Sequence, residues 1–145
     1  TTIARLVALG LLISACSADG IFPPDQDRLS VGTWGGVNAG VLVSDSVAHV
    51  HVGCTNGNFV GPVALDGEGR FTATGSYILR AYPIAIGPSL PAQFSGIVQA
   101  NKLHLTVTVN DTVEDKVVVL GPVTVTFAQD PRMGPCPICS NMPKD

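Results

Sequence analysis

Apolar and polar residues alternate with a period of two from about Val31 to Ala128, and this pattern constrains the fold more than any other feature. Successive side chains of a β-strand point to opposite faces, so such alternation is typical of strands with one buried and one solvated face. Short polar or glycine-rich segments interrupt it, among them Asp45-Ser46 and Asp66-Gly67-Glu68-Gly69, as expected for tight hairpin turns. Because no segment shows helical periodicity, the pattern predicts an all-β domain.

The interruptions divide the chain into seven or eight sequential strands. Residues 55–58 are predicted as a turn and the proline-broken residues 82–91 as a loop. The predicted strands are residues 31–36, 39–44, 47–54, 59–65, 70–79, 94–99, 103–109 and 116–127. Short connections favour an antiparallel up-and-down meander, and closure into a barrel removes the exposed edges of an open sheet. The alternative is a β-sandwich, because the number of strands does not distinguish it from a barrel.

The N-terminal segment has the pattern of a secretory signal. Arg5 precedes an apolar run over residues 6–13, and the small residues Ser14 and Ala15 then lead to Cys16. This run is far shorter than the roughly 20 residues that cross a bilayer as a helix. The segment resembles the lipobox of bacterial lipoproteins, which implies cleavage before Cys16 and its acylation as a membrane anchor. Because Ser17 rather than aspartate follows, the resemblance to enterobacterial lipoproteins implies the outer membrane more than the inner.

Composition fits a small domain of the cell envelope. The chain has 145 residues, of which 16 are glycine, 11 are proline and 13% are charged, with a net charge of −3. An acidic chain without a basic patch argues against nucleic-acid binding. We divide it into a signal peptide (1–15), a flexible tether (16–30), a β-barrel domain (31–129) and a C-terminal tail rich in cysteine and proline (130–145).

A further resemblance begins at Gly32-Thr33-Trp34, which is similar to the opening strand of the calycins, the group of the lipocalins and avidins. In those folds the tryptophan closes one end of the barrel. The longer string 32–36, a cysteine-ended strand, the hairpin over residues 64–71 and a terminal cysteine resemble a family of small uncharacterised secreted β-proteins of bacteria. These resemblances imply a barrel but no activity, because calycins differ widely in their ligands.

Three cysteines remain once Cys16 is assigned to the lipid anchor, namely Cys54, Cys136 and Cys139. An oxidising compartment favours a disulfide, and we prefer Cys54–Cys136, with Cys54–Cys139 as the alternative. A redox role for Cys136-Pro-Ile-Cys139 is disfavoured, because such motifs open a helix after a strand and this one lies in a proline-rich tail.

Two histidines, His49 and His51, alternate with Val50 and Val52. They therefore point outward from the same side of one strand, about 7 Å apart, and are weak candidates for a shared metal. His104 also faces outward, on another strand, and no third ligand follows from the spacing. We accordingly predict no metal and no other cofactor.

No catalytic motif occurs in the sequence, and the acidic residues cluster in turns, so we predict no enzyme. The sequence favours a lipid-anchored envelope barrel that binds a small apolar ligand at its mouth. The predicted apolar rim consists of Tyr82, Ile84, Ile86 and Leu90. The alternatives are a protein-binding module, such as a lysozyme or protease inhibitor, and a structural surface protein with no ligand. A deep cavity would support the carrier, whereas a filled barrel with a rigid protruding loop would favour the alternatives.

Overall fold

The computed structural model describes residues 27–80 and 86–136, which form a closed eight-stranded barrel. Its strands are β1 (Gly32–Gly36), β2 (Ala39–Val43), β3 (Val47–Val52), β4 (Thr55–Val60), β5 (Arg70–Ile78), β6 (Leu90–Gln99), β7 (Lys102–Asp111) and β8 (Lys116–Phe127). Each strand pairs antiparallel with the next one in the sequence, and β8 pairs with β1 through Trp34 and Phe127. The predicted all-β meander and its closure are confirmed, and the β-sandwich alternative is wrong.

Large side chains fill the interior of the barrel. Trp34, Phe59, Tyr77 and Phe94 are each at most 2% exposed. The Phe94 ring lies 4.8 Å from the Phe59 ring and 6.1 Å from the Tyr77 ring, measured between centroids. Aromatic rings at these separations bury large apolar areas and pack favourably, each full burial contributing roughly 1.5–3 kcal/mol. The inward face of the alternating pattern is therefore a packed core.

Residues 27–30 pack against the barrel. Leu29 is 2% exposed, and its backbone N–H donates to the Val63 carbonyl at 2.9 Å. The indole Nε1–H of Trp34 donates to the Ser30 carbonyl at 3.0 Å. The folded part of the chain thus includes residues 27–30, the last four residues of the segment 16–30 that the sequence predicts as a tether. Residues 16–26 lie outside the described part of the chain.

The predicted turn over residues 55–58 is wrong, because these residues belong to β4. The hairpin turn is Gly53-Cys54, and Gly53 has the positive φ of 58° that such a turn favours. Gly57 lies inside the strand, where a Cβ atom would overlap the ring of Tyr77 on the neighbouring strand. Gly57 is therefore needed because the ring of Tyr77 lies close to the backbone of β4, and not because the chain turns there.

The end of the described chain packs against the β1–β2 hairpin. The backbone N–H of Asn38 donates to the Arg132 carbonyl at 3.0 Å, and the Arg132 N–H donates to the Gly36 carbonyl at 2.9 Å. Beyond Arg132 the chain reaches Cys136, which forms a disulfide with Cys54. The two Cα atoms are 5.5 Å apart. The preferred cysteine pair is thus confirmed, with Cys54 in the turn rather than at the strand end, whereas Cys139 lies outside the described residues.

Candidate functional site

The structure changes the predicted ligand rim. Leu90 is only 2% exposed and pairs with Tyr77 at the start of β6, so it faces the core and is not a rim residue. Ile86 is 76% exposed, and the next residue, Gly87, donates its backbone N–H to the Arg80 carbonyl. The other two rim candidates, Tyr82 and Ile84, lie outside the described residues, and their role stays a prediction.

An open groove of about 860 Å³ runs along the outer face of β5, β6 and β7. We call it the outer groove. Its floor includes the hydroxyls of Thr72, Ser95 and Thr106, which occupy matching positions on the three strands. Asp66 and Arg70 lie at one side of it. The other lining residues are mostly apolar, so the groove combines apolar surface with hydroxyls and charged groups.

Residues 66–70 form an exposed, hydrogen-bonded segment beside this groove, which we call the acidic turn. The Asp66 carboxylate accepts backbone N–H bonds from Glu68 at 2.9 Å and Arg70 at 2.8 Å. The Arg70 guanidinium also pairs with Glu68 at 2.9 Å. The backbone N–H of Arg70 is the main cause of a lowered pKa at Asp66, so this carboxylate is ionised at neutral pH. The predicted turn is confirmed here.

A second ion cluster lies at the end of β7. Asp111 is fully buried and accepts two hydrogen bonds from the Arg80 guanidinium, at 2.6 and 3.3 Å. Arg80 also pairs with Glu114 at 3.0 Å, and Lys116 pairs with the same carboxylate. The sequence predicts the acidic residues to lie in turns, whereas Asp111 is the last residue of β7. Arg80 was not predictable as its partner, because 31 residues separate the two in the sequence. The cluster ties the beginning of the loop after β5 to the β7–β8 turn.

The outward histidines of β3 lie in a small cavity of about 160 Å³, which we call the histidine pocket. The Nε2 atoms of His49 and His51 are 2.8 Å apart, and the Nδ1 atom of His49 lies 2.5 Å from the amide oxygen of Asn58. Burial lowers the pKa of His51, and the adjacent His49 lowers it further. The predicted outward orientation is confirmed. His104 lies apart, at the outer groove, with Nδ1 at 2.9 Å from the Thr124 hydroxyl.

Within residues 27–80 and 86–136 there is no group of three or more His, Cys, Asp or Glu side chains arranged to hold a metal ion. Nor does this part of the chain contain a helix long and apolar enough to span a membrane. Cys16 lies outside the described residues, so its lipidation stays a prediction. No family model, curated protein or solved structure matches the chain.

Proposed function

We propose that this chain is a lipid-anchored, non-enzymatic β-barrel of the bacterial cell envelope that binds a protein partner on its outer surface, as a lysozyme or protease inhibitor does. The filled interior supports this function. An eight-stranded barrel has room either for side chains or for one small ligand. Here Trp34, Phe59 and Phe94 occupy the space that a carrier would keep for its ligand.

The acidic turn and the outer groove form the proposed contact surface. Hydrogen bonds and ion pairs already hold Asp66, Glu68 and Arg70 in place, so little conformational entropy is lost when a partner binds. The acidic net charge, −3 over the full sequence and −4 once Arg5 is removed with the signal peptide, favours encounter with a cationic partner. An exposed turn beside a groove, held by its own hydrogen bonds, supports a module that contacts an enzyme cleft.

Inhibition assays test this function. The purified full chain is added to a cationic lysozyme acting on peptidoglycan and to a trypsin-like protease acting on casein. We expect saturable inhibition of one of them, with Thr72→Arg, in the groove floor, weakening it by about tenfold or more. Thr74→Arg is the matched control, since Thr74 lies on the same face of β5 but outside the outer groove. Absence of inhibition, or equal loss in both variants, contradicts the proposal.

The carrier alternative has its own test. Native mass spectrometry of protein purified from its own host should show the bare chain, because the barrel interior is occupied by side chains. A lipid or other small apolar molecule that co-purifies in stoichiometric amount would favour the carrier over the protein-binding module.

The lipid anchor is tested by metabolic labelling with a radioactive fatty acid. The unaltered chain should incorporate label and fractionate with the outer membrane, and Cys16→Ser should do neither. Cys139→Ser is the matched cysteine control and should label normally. If Cys16→Ser still incorporates label and stays in the membrane, the lipobox interpretation is wrong.

A further inference from the structure

The two histidine rings of β3 converge on each other. Residues two apart on a strand are normally separated by about 7 Å along it. In this barrel the Nε2 atoms of His49 and His51 lie 2.8 Å apart, and the ring centroids are separated by 4.7 Å. The Nε2 atoms of the two rings thus face each other at hydrogen-bond distance on the outer face of β3.

Asn58, on the neighbouring strand β4, orients one of these rings. Its amide oxygen can only accept a hydrogen bond, so the Nδ1 atom of His49 at 2.5 Å carries the proton. The neutral His49 ring then has its lone pair on Nε2, the atom that faces His51. Histidines that bind metals are commonly oriented in this way, by a hydrogen bond from the nitrogen that does not bind.

The spacing of the two nitrogens matches one coordination geometry closely. Two nitrogens that each lie about 2.0 Å from one metal ion, at an angle of about 90°, are about 2.8 Å apart. Adjacent positions of a square plane have this angle, and Cu²⁺ prefers square-planar or tetragonal sites with nitrogen and oxygen ligands. The Nε2 separation in this structure is 2.8 Å.

The surroundings leave room for an ion and its water ligands. The histidine pocket has a volume of about 160 Å³, and a water molecule takes up roughly 30 Å³. Its other lining residues are Thr33, Gly40, Val41, Leu42, Pro131 and Met133, none of which is charged. No lining cation therefore repels a bound metal, and the tail contributes a thioether to the wall.

We propose that His49 and His51 bind one Cu²⁺ ion through their Nε2 atoms, with water at the remaining positions. In the metal-free chain His51 donates its Nε2–H to Nε2 of His49. On binding, His51 releases this proton to water and takes one up from water on Nδ1, so that both Nε2 lone pairs face the metal. Among divalent first-row metals, Cu²⁺ binds most tightly to nitrogen sites, so it is favoured over Zn²⁺ and Ni²⁺. The site lies on β3, away from the outer groove, and does not depend on the proposed binding of a protein partner.

The test is a titration of the untagged full chain with copper sulfate, after its free thiols have been blocked with N-ethylmaleimide. Calorimetry should show one high-affinity site, and electron paramagnetic resonance should show a tetragonal Cu²⁺ signal coupled to two imidazole nitrogens. His49→Asn and His51→Asn should each weaken binding by about tenfold or more, because each removes one of two protein ligands. His104→Asn is the matched control and should bind copper as the unaltered chain does.

Asn58→Ala tests the orienting role, since loss of such a hydrogen bond typically weakens binding by about tenfold to a hundredfold. It keeps both histidines, so unchanged affinity would show that Asn58 does not position His49. The variants' chemical unfolding curves establish that each is folded before titration. Binding that survives both histidine substitutions, or a signal without coupling to two imidazoles, overturns the site.

Discussion

Asp111 is a fully buried carboxylate at the end of β7, and its partners come from different parts of the chain. Two bonds come from the Arg80 guanidinium, and two more come from the backbone N–H groups of Val113 and Glu114, at 3.0 and 3.2 Å. A buried charge is unfavourable unless it is paired and hydrogen-bonded, and the Asp111 carboxylate has both an ion pair and hydrogen bonds. The charge state of Asp111 therefore affects the contact between Arg80 and the β7–β8 turn.

This coupling predicts a pH dependence. The Arg80 hydrogen bonds are the main cause of a lowered pKa at Asp111 in the folded state. The stabilisation that these hydrogen bonds give the folded state is complete above the pKa of about 3.9 that Asp111 has in the unfolded chain. It is lost as the pH falls through the lower pKa of the folded state. We expect the unfolding free energy of Asp111→Asn to depend less steeply on pH in acid, because the variant takes up as much as about one proton fewer on unfolding. Urea unfolding between pH 2 and about 6 measures it, and equal slopes for both proteins contradict the assignment.

Element boundaries show what local sequence information reveals and what it misses. The hairpin at residues 66–69 was predictable because Asp66 bonds to backbone atoms only two and four residues away. The start of β4 was not, because Gly57 is required by Tyr77, a residue of another strand. In the same way the outward direction of His49 followed from alternation, but its partner Asn58 comes from the next strand. Contacts between strands determine these features, and a local pattern does not contain them.

Strand β8 contains a β-bulge that the alternating pattern did not reveal. Its register with β7 shifts between Leu105 and Val107, opposite Gly121 and Pro122. Gly121 has a φ of 96°, which side chains disfavour, and a Cβ atom there would lie 2.7 Å from the Leu105 carbonyl oxygen. Pro122, which lacks an N–H, is tolerated at such an interruption of the ladder and lines the outer groove.

Alanine substitutions at two glycines test the bulge. Gly121→Ala should lower the free energy of unfolding by about 1–3 kcal/mol, because it forces a side chain into a strained backbone conformation. Gly67→Ala is the control: its Cβ would meet nothing within 4 Å, so the change should be neutral or stabilising by up to about 1 kcal/mol. Denaturant unfolding of both variants gives the comparison, and similar values for the two would argue against strain at the bulge.

At the scale of the whole molecule, the filled interior makes a prediction about stability. Phe94 is fully buried between Phe59 and Tyr77. Phe94→Ala should cost about 3–5 kcal/mol and leave an apolar cavity. Such cavities stay dry and bind small apolar probes, so benzene should raise the melting temperature of the variant but not that of the unaltered chain. Stabilisation of both proteins by benzene would show that the unaltered barrel already has space for a ligand.

The disulfide links two distant parts of the barrel, the β3–β4 turn and the segment that follows β8. Cys54 and Cys136 are separated by 82 positions in the sequence. A cross-link over such a loop reduces the entropy of the unfolded chain and contributes about 4.5 kcal/mol in the chain-entropy model. Replacing both cysteines by alanine should lower the free energy of unfolding by about that amount. Trp34, the single tryptophan and fully buried, provides the fluorescence signal for guanidinium unfolding.

Two comparisons establish which cysteine pair stabilises the barrel in solution. Reducing the unaltered chain should reproduce the stability of the double alanine variant, since both remove the same cross-link. Cys139→Ala should unfold like the unaltered chain, because Cys54 is bonded to Cys136. If Cys139→Ala loses the stability and Cys136→Ala retains it, the cross-link in solution is Cys54–Cys139. The C-terminal segment would then be held to the β1–β2 hairpin by its backbone hydrogen bonds to Gly36 and Asn38, without a bond at Cys136.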